Sequence, residues 1–76
     1  MKIILEHNGT PSFIETATRI QEMLEFDLGH KVEQVIGSAK NQVILYDDSR
    51  NVIGTFNNVP TLETLSFYMR LSETED

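Results

Sequence analysis

Short stretches rich in apolar residues recur along the chain between residues that favour turns, which is the pattern of strands. Four such stretches are rich in β-branched or aromatic residues: 1–7, 32–36, 42–46 and 52–56. Short separators rich in turn formers divide the last three stretches. We therefore predict four strands, with the last three arranged as an antiparallel meander.

Between the first two strands, apolar residues recur at helical spacing. The stripe consists of Phe13, Ala17, Ile20, Leu24 and Leu28, at steps of three and four. This spacing predicts a helix over residues 13–28 whose stripe packs on the sheet. Pro11 and a capping box of Ser12 and Glu15 mark its start, and Gly29 is suited to the left-handed conformation that ends a helix.

Gly54 lies inside the last predicted strand. It indicates either a bulge in that strand or a close approach by the first helix.

A second helix is predicted from a Thr61 cap to about Leu71. It carries two apolar stripes. Leu62, Leu65 and Met69 form the first stripe, and Phe67 and Leu71 project roughly opposite to it. One helix on one sheet cannot bury both stripes, so we expect Phe67 and Leu71 to face outward. Residues 72–76 are expected to form a frayed acidic tail.

The element order β-α-β-β-β-α predicts one α+β domain over residues 1–76, with a mainly antiparallel four-stranded sheet and two helices. The first helix is expected to cover one face, and the second to pack beside it or at a dimer interface. A chain of 76 residues without cysteine buries a thin core and has no disulfide to reinforce it. We therefore expect a cytoplasmic protein that is helped by self-association.

Charge changes this picture because it is segregated along the chain. Residues 12–29 and 61–76 each carry a net charge of −3, and the remaining residues are neutral in sum. A negative field can therefore face one way. At a pI of about 4.7, direct binding to nucleic acid is disfavoured, because phosphate contacts need Lys and Arg. The expected partner is a protein with a basic surface.

The first helix carries the candidate binding residues. Glu15, Glu22 and Phe26 project together from its outer face, and Glu25 and Asp27 lie in its last turn. A carboxylate at that end of a helix typically costs about 0.3 to 1 kcal/mol, so stability does not explain the placement. An aromatic residue within a charged rim is typical of a protein-binding hot spot. The alternative is that these carboxylates only keep the protein soluble.

Spaced carboxylates on a rigid scaffold imitate a row of phosphates. In size and acidity the chain is similar to phage-type inhibitors of restriction, CRISPR, nucleoid or replication proteins, although no residue motif links it to one of them. That similarity implies a viral DNA mimic acting in the host cytoplasm on a basic nucleic-acid-binding surface. The alternative hypothesis is a homodimeric assembly or adaptor module that acts through an apolar patch of Phe67, Tyr68 and Leu71.

Catalytic patterns are missing from the sequence. There is no Gly-x-Ser-x-Gly elbow, no Gly-rich phosphate loop and no His-Glu-x-x-His helix. The two histidines, His7 and His30, follow predicted elements, and we expect surface positions and end-capping roles for them. The prediction is therefore a binding protein without catalytic activity and without a cofactor.

The turn after the third strand offers oxygens at alternate positions. Asp47, Ser49 and Asn51 match the start of a calcium loop, but Val52 stands where that loop needs Gly. Such residues also favour hairpin turns, so we predict a turn and no metal site. A small metal-dependent enzyme centred on Asp47 and Asp48 is the weakest hypothesis. The longest apolar runs have three and four residues, so no membrane span is expected.

Overall fold

Four strands and two helices form the fold, which a computed structural model describes for residues 2–37 and 40–73. The strands are β1 (Lys2–His7), β2 (Lys31–Ile36), β3 (Val43–Tyr46) and β4 (Val52–Phe56). The helices are α1 (Pro11–Glu22), which continues as a π turn over Met23–Asp27, and α2 (Leu62–Glu73). The predicted α+β class and the order β-α-β-β-β-α are confirmed.

The strands form one mixed sheet in the order β2-β1-β3-β4. β1 pairs in parallel with β2, antiparallel with β3, and β3 pairs antiparallel with β4. Two of the three pairings are thus antiparallel, but the predicted meander is wrong because β1 separates β2 from β3. The helical segment between β1 and β2 is long enough for a crossover between parallel strands. That crossover gives β1, which has apolar residues on both faces, a central position.

The core lies on one side of the sheet. It is a single cluster of Ile3, Leu5, Val43, Leu45 and Phe56 from the strands with Ala17, Ile20, Leu24, Leu65 and Met69 from the helices. Both helices therefore pack side by side on the same face. We call α1, the π turn and α2 the helical layer, and the four strands with their turns the sheet layer.

The apolar stripe predicted for the first helix is confirmed. Ala17, Ile20 and Leu24 are fully buried, and Phe13 and Leu28 are partly buried against the core. These side chains hold α1 on the inner face of the sheet. The spacing of apolar residues was therefore a reliable guide to which side of this helix faces inward.

The helix begins earlier than the predicted capping box. Thr10 is the N-cap residue, Pro11 is the first helical residue, and Ser12 lies inside the first turn. The reason is that Pro suits the first helical position, where a backbone N–H has no partner inside the helix. The turn before the helix is fixed by Asn8, whose Oδ1 accepts a hydrogen bond from the Thr10 amide at 3.0 Å. Ser12 and Glu15 therefore do not cap the helix.

The helix ends in the π turn. The Leu28 amide donates to the Met23 carbonyl at 3.1 Å, and the His30 amide donates to the Leu24 carbonyl at 2.9 Å. Gly29 has a φ of +75°, the left-handed conformation predicted for it. The wider turn ends the helix without burying Phe26, whose side chain is 81% exposed.

The second helix starts as predicted. The Thr61 hydroxyl oxygen accepts a hydrogen bond from the Thr64 amide at 3.1 Å. Leu65 and Met69 are buried, whereas Phe67 is 56% exposed. Leu62 was expected to face inward but is 40% exposed, because it is the first helical residue after the loop that follows β4.

The predicted frayed tail lies only partly within the described residues. The helix continues through residues 72 and 73, and residues 74–76 lie outside the described part of the chain. In the part that is described, neither helix has the length and apolar content needed to span a membrane.

Gly54 lies at a bulge and also at a close approach by a helix, the two alternatives predicted for it. A register shift lies beside it, since Leu45 pairs with Gly54 but Tyr46 pairs with Val52. A Cβ added at Gly54 would lie 3.3 Å from Cδ1 of Tyr68. The close approach is therefore made by α2, and the prediction that α1 makes it is wrong because α1 packs over the other half of the sheet.

Two neighbouring residues test the orientation of the π turn. Leu24→Ala removes a fully buried side chain and should lower the free energy of unfolding by about 2 to 5 kcal/mol. Phe26→Ala changes an 81% exposed side chain and should stay within about 0.5 kcal/mol of wild type. Urea unfolding followed by circular dichroism measures both. A loss for Phe26→Ala as large as that for Leu24→Ala would show that Phe26 belongs to the core.

Candidate functional site

The net charge of the described residues lies in the helical layer. Glu15, Glu22, Glu25 and Asp27 oppose Arg19 in the first helical segment, a sum of −3, and residues 61–73 add −1. Because both helices occupy the same face of the sheet, these charges share one side of the molecule. The segregation seen along the sequence is thus a segregation in space.

The sheet layer is neutral in sum, and several of its polar groups bond to one another. Lys2 Nζ lies 2.8 Å from Glu33 Oε1, and the hydrogen bond and charge of Lys2 lower the pKa of the Glu33 carboxyl. The Tyr46 hydroxyl donates to Glu6 Oε1 at 3.0 Å, and this bond, with burial, raises the pKa of Tyr46. The Arg50 guanidinium lies 5.9 Å from the centre of the Tyr46 ring. This layer therefore presents little uncompensated charge.

Three of the five predicted binding residues meet at one groove. Glu22, Phe26 and Asp27 line a groove of about 450 Å³ together with Arg19, Met23 and Val59. Phe26 stands exposed between carboxylates, as the sequence predicted, and its neighbours Met23 and Val59 extend the apolar part of the surface. We call this set of six residues the Phe26 groove.

The other two predicted residues lie outside the Phe26 groove. Glu15 is exposed on α1, two helical turns before Glu22. Glu25 is half-buried, and its Oε2 accepts a hydrogen bond from Gln21 Nε2 at 3.2 Å. Glu25 is therefore held by its own helix, while Glu15, Glu22 and Asp27 are exposed to solvent.

Glu25 also ends a chain of polar contacts that starts at His7. The Gly9 amide donates to His7 Nδ1 at 3.0 Å, so the proton of the ring lies on Nε2, which donates to Gln34 Oε1 at 3.1 Å. Gln34 Nε2 then donates to Gln21 Oε1 at 2.6 Å. These bonds tie β1, β2 and α1 together and satisfy the buried imidazole.

The surface position predicted for His7 is wrong, since its side chain is only 3% exposed. Strand alternation places it on the same face of β1 as Ile3 and Leu5. The end-capping role does apply, because His7 accepts the amide of Gly9, the second residue of the loop after β1. The alternation of β1 was the available signal for burial, but nothing in the sequence paired His7 with Gln34.

The Asp47 carboxylate is engaged within the hairpin. Its Oδ1 accepts the Ser49 and Asn51 amides, each at 2.9 Å, and Oδ2 accepts Asn51 Nδ2 at 3.4 Å. The Asn51 amide and then the Ser49 amide lower the pKa of Asp47. The predicted turn is therefore present, and no group of three or more His, Asp or Glu among the described residues could hold a metal ion.

The predicted patch on α2 is only partly exposed. Phe67 is 56% exposed and Leu71 is 52% exposed, whereas Tyr68 is half-buried. The Tyr68 ring packs edge-on against Phe56 at 5.3 Å between ring centres and contacts the Phe67 ring at 6.2 Å. Tyr68 thus contacts Phe56 and the side of Phe67, and less of its ring is open to a partner.

In comparisons with known proteins, no family model, no curated protein and no solved structure matches this chain. A small α+β fold does not by itself imply a function, because function depends on the site it carries. The Phe26 groove and the outer side of α2 are therefore the features on which a functional proposal rests.

The Asp47 turn predicts a pH dependence. Folding lowers the pKa of this carboxyl, so its contribution to stability is present above the unfolded value of about 4 and is lost as the pH falls through the folded value. Asp47→Asn keeps an acceptor oxygen but cannot ionise. We expect its free energy of unfolding to fall less steeply than that of wild type as the pH falls below ~4. Urea unfolding at a series of pH values measures this slope.

Asp48→Asn is the matched control, because it removes the same charge from an exposed neighbour. An acid slope in Asp47→Asn as steep as that of wild type would contradict the role assigned to Asp47.

Proposed function

We propose that this protein is a non-catalytic binding protein whose helical layer docks onto a basic surface of another protein. The observation that carries the proposal is the 81% exposure of Phe26 beside Glu22 and Asp27, in the layer that holds the net negative charge. Burying an exposed phenylalanine contributes roughly 1.5 to 3 kcal/mol, and a charged rim around it excludes water from the contact. Phe26 supplies the apolar anchor, and the carboxylates supply orientation.

The electrostatics of α1 support a basic partner. Within the described part of the chain, none of the exposed carboxylates Glu15, Glu22 and Asp27 forms an ion pair. Asp27 also lies where the helix dipole already places partial negative charge, so it lowers the stability of the helix. A basic surface would relieve this repulsion and be steered toward it by the negative field.

The finer part of the proposal concerns the kind of partner. We place the protein in the cytoplasm, as an inhibitor whose carboxylates occupy the nucleic-acid-binding surface of a host protein. The segregated charge and the absence of cysteine support this assignment. It requires that duplex DNA and this protein compete for the same partner.

A second candidate function is a homodimeric assembly or adaptor module. The exposure of Phe67 at 56% favours it, because large apolar side chains at a surface gain stability from a partner. The two functions use different residues of the helical layer, so both can operate in one molecule.

The docking surface is tested by reversing one charge in the helical layer and, as a control, one charge in the sheet layer. Glu22→Lys and Asp48→Lys each change the net charge by two, but Glu22 lies in the Phe26 groove and Asp48 in the β3–β4 turn. Immobilised variants are exposed to a lysate of the cells that naturally produce the protein and eluted with a salt gradient. We expect Asp48→Lys to retain the basic proteins that wild type retains, and Glu22→Lys to lose them.

Circular dichroism confirms that both variants are folded, as expected for exposed positions. Equal retention by Glu22→Lys and Asp48→Lys would contradict the docking surface. Duplex DNA added to the loaded column should release the retained protein if the carboxylates take the place of phosphates. Failure of DNA to release it would overturn the mimicry alone.

A further inference from the structure

The outer side of α2 carries a row of exposed residues that is not part of the Phe26 groove. Glu63, Phe67 and Arg70 are all exposed, and Glu63 and Arg70 stand seven residues apart. Seven residues are close to two helical turns, so the acid and the base lie on one side of the helix. Phe67 lies between them on the same side. We call these three residues the α2 row.

The α2 row of one copy is complementary to the α2 row of a second copy when the two helices run antiparallel. It has an acid at one end, a base at the other and an aromatic ring near its middle. In an antiparallel pair of helices related by a twofold axis, each Glu63 would stand opposite the Arg70 of the other copy. Twofold contacts use the same patch on both subunits, which is the property of this row.

We propose that α2 packs antiparallel against α2 of a second copy of this chain, with the two Phe67 rings at the axis and Glu63 facing Arg70 of the other copy at both ends. The occupant of this surface is a second copy because the row sums to zero charge and matches its own reverse. A strongly basic partner is attracted instead to the first helical segment, which carries −3 against −1 for residues 61–73.

Phe67 has an aromatic neighbour on one side of its ring. Its ring touches Tyr68 at 6.2 Å between centres, and Tyr68 is in turn packed on the buried Phe56 at 5.3 Å. The ring is therefore restrained on one side, which reduces the side-chain freedom lost when it is covered. Exposed ion pairs contribute little affinity, so the Glu63 and Arg70 pairs chiefly fix the antiparallel register.

The α2 row and the Phe26 groove have no residue in common. α1 packs over β1, β2 and β3, whereas α2 packs over β4, at the edge of the sheet. A dimer formed through the α2 row therefore carries two Phe26 grooves, one on each copy.

A charge-swap series tests the pairing. Sedimentation velocity over a wide concentration range compares wild type with Glu63→Arg, Arg70→Glu and the double variant. We expect wild type to dimerise, each single variant to raise the dimer dissociation constant by about tenfold through like-charge contacts, and the double variant to return to within about threefold of wild type. All three variants change exposed residues, so circular dichroism should show them folded.

Phe67→Asp should abolish the dimer, and Ile14→Asp, at a 40% exposed position on α1, should leave it intact. A wild type that stays monomeric at high micromolar concentration overturns the proposal, and so does a folded double variant that fails to recover dimerisation. The inference rests on the second candidate function, the homodimer, and does not depend on the proposed docking function. Glu22→Lys is expected to dimerise like wild type even though it loses the basic partner.

Discussion

The one-sided core is the constraint on which the rest of this structure depends. The chain has enough buried apolar side chains for a single cluster, and that cluster occupies one face of the sheet. Both helices must therefore share that face, since each has an apolar stripe that needs covering. The opposite face is left to half-buried side chains such as Ile4, Ile44 and Tyr46, between polar groups that bond to one another.

Because both helices lie on one face, the charge that is segregated along the sequence is also concentrated on one side of the molecule. The helices carry the excess of carboxylates, so sharing one face gives the molecule a negative helical layer and a neutral sheet layer. We propose that the two helices have different roles, with α1 binding a basic partner and α2 forming the dimer. The Phe26 groove combines an apolar anchor with acidic neighbours, whereas the α2 row has balanced charge and a central ring. The first suits a basic partner and the second suits another copy of the chain.

The local sequence pattern was enough to predict the helices and strands. It does not contain the information that determines which strands pair in the sheet. The stripe of α1, the burial of Leu65 and Met69, and the exposure of Phe26 and Phe67 followed from helical spacing, whereas the burial expected for Leu62 did not occur. The parallel pairing of β1 with β2 did not, because strand alternation specifies faces and not neighbours. The burial of His7 was missed because its partner Gln34 is distant in sequence. Val59 was missed because only the folded loop brings it to the Phe26 groove.

The most direct test of the account is a comparison of two alanine variants. Each is measured for its affinity for the basic protein that the wild-type chain retains most strongly. Phe26→Ala and Ile36→Ala each shorten a side chain that is more than 70% exposed, one in the Phe26 groove and one on β2. Isothermal titration calorimetry should show Phe26→Ala binding at least about fivefold more weakly, with an unchanged melting temperature. Ile36→Ala should bind like wild type. Equal affinities for the two variants would contradict docking through the helical layer.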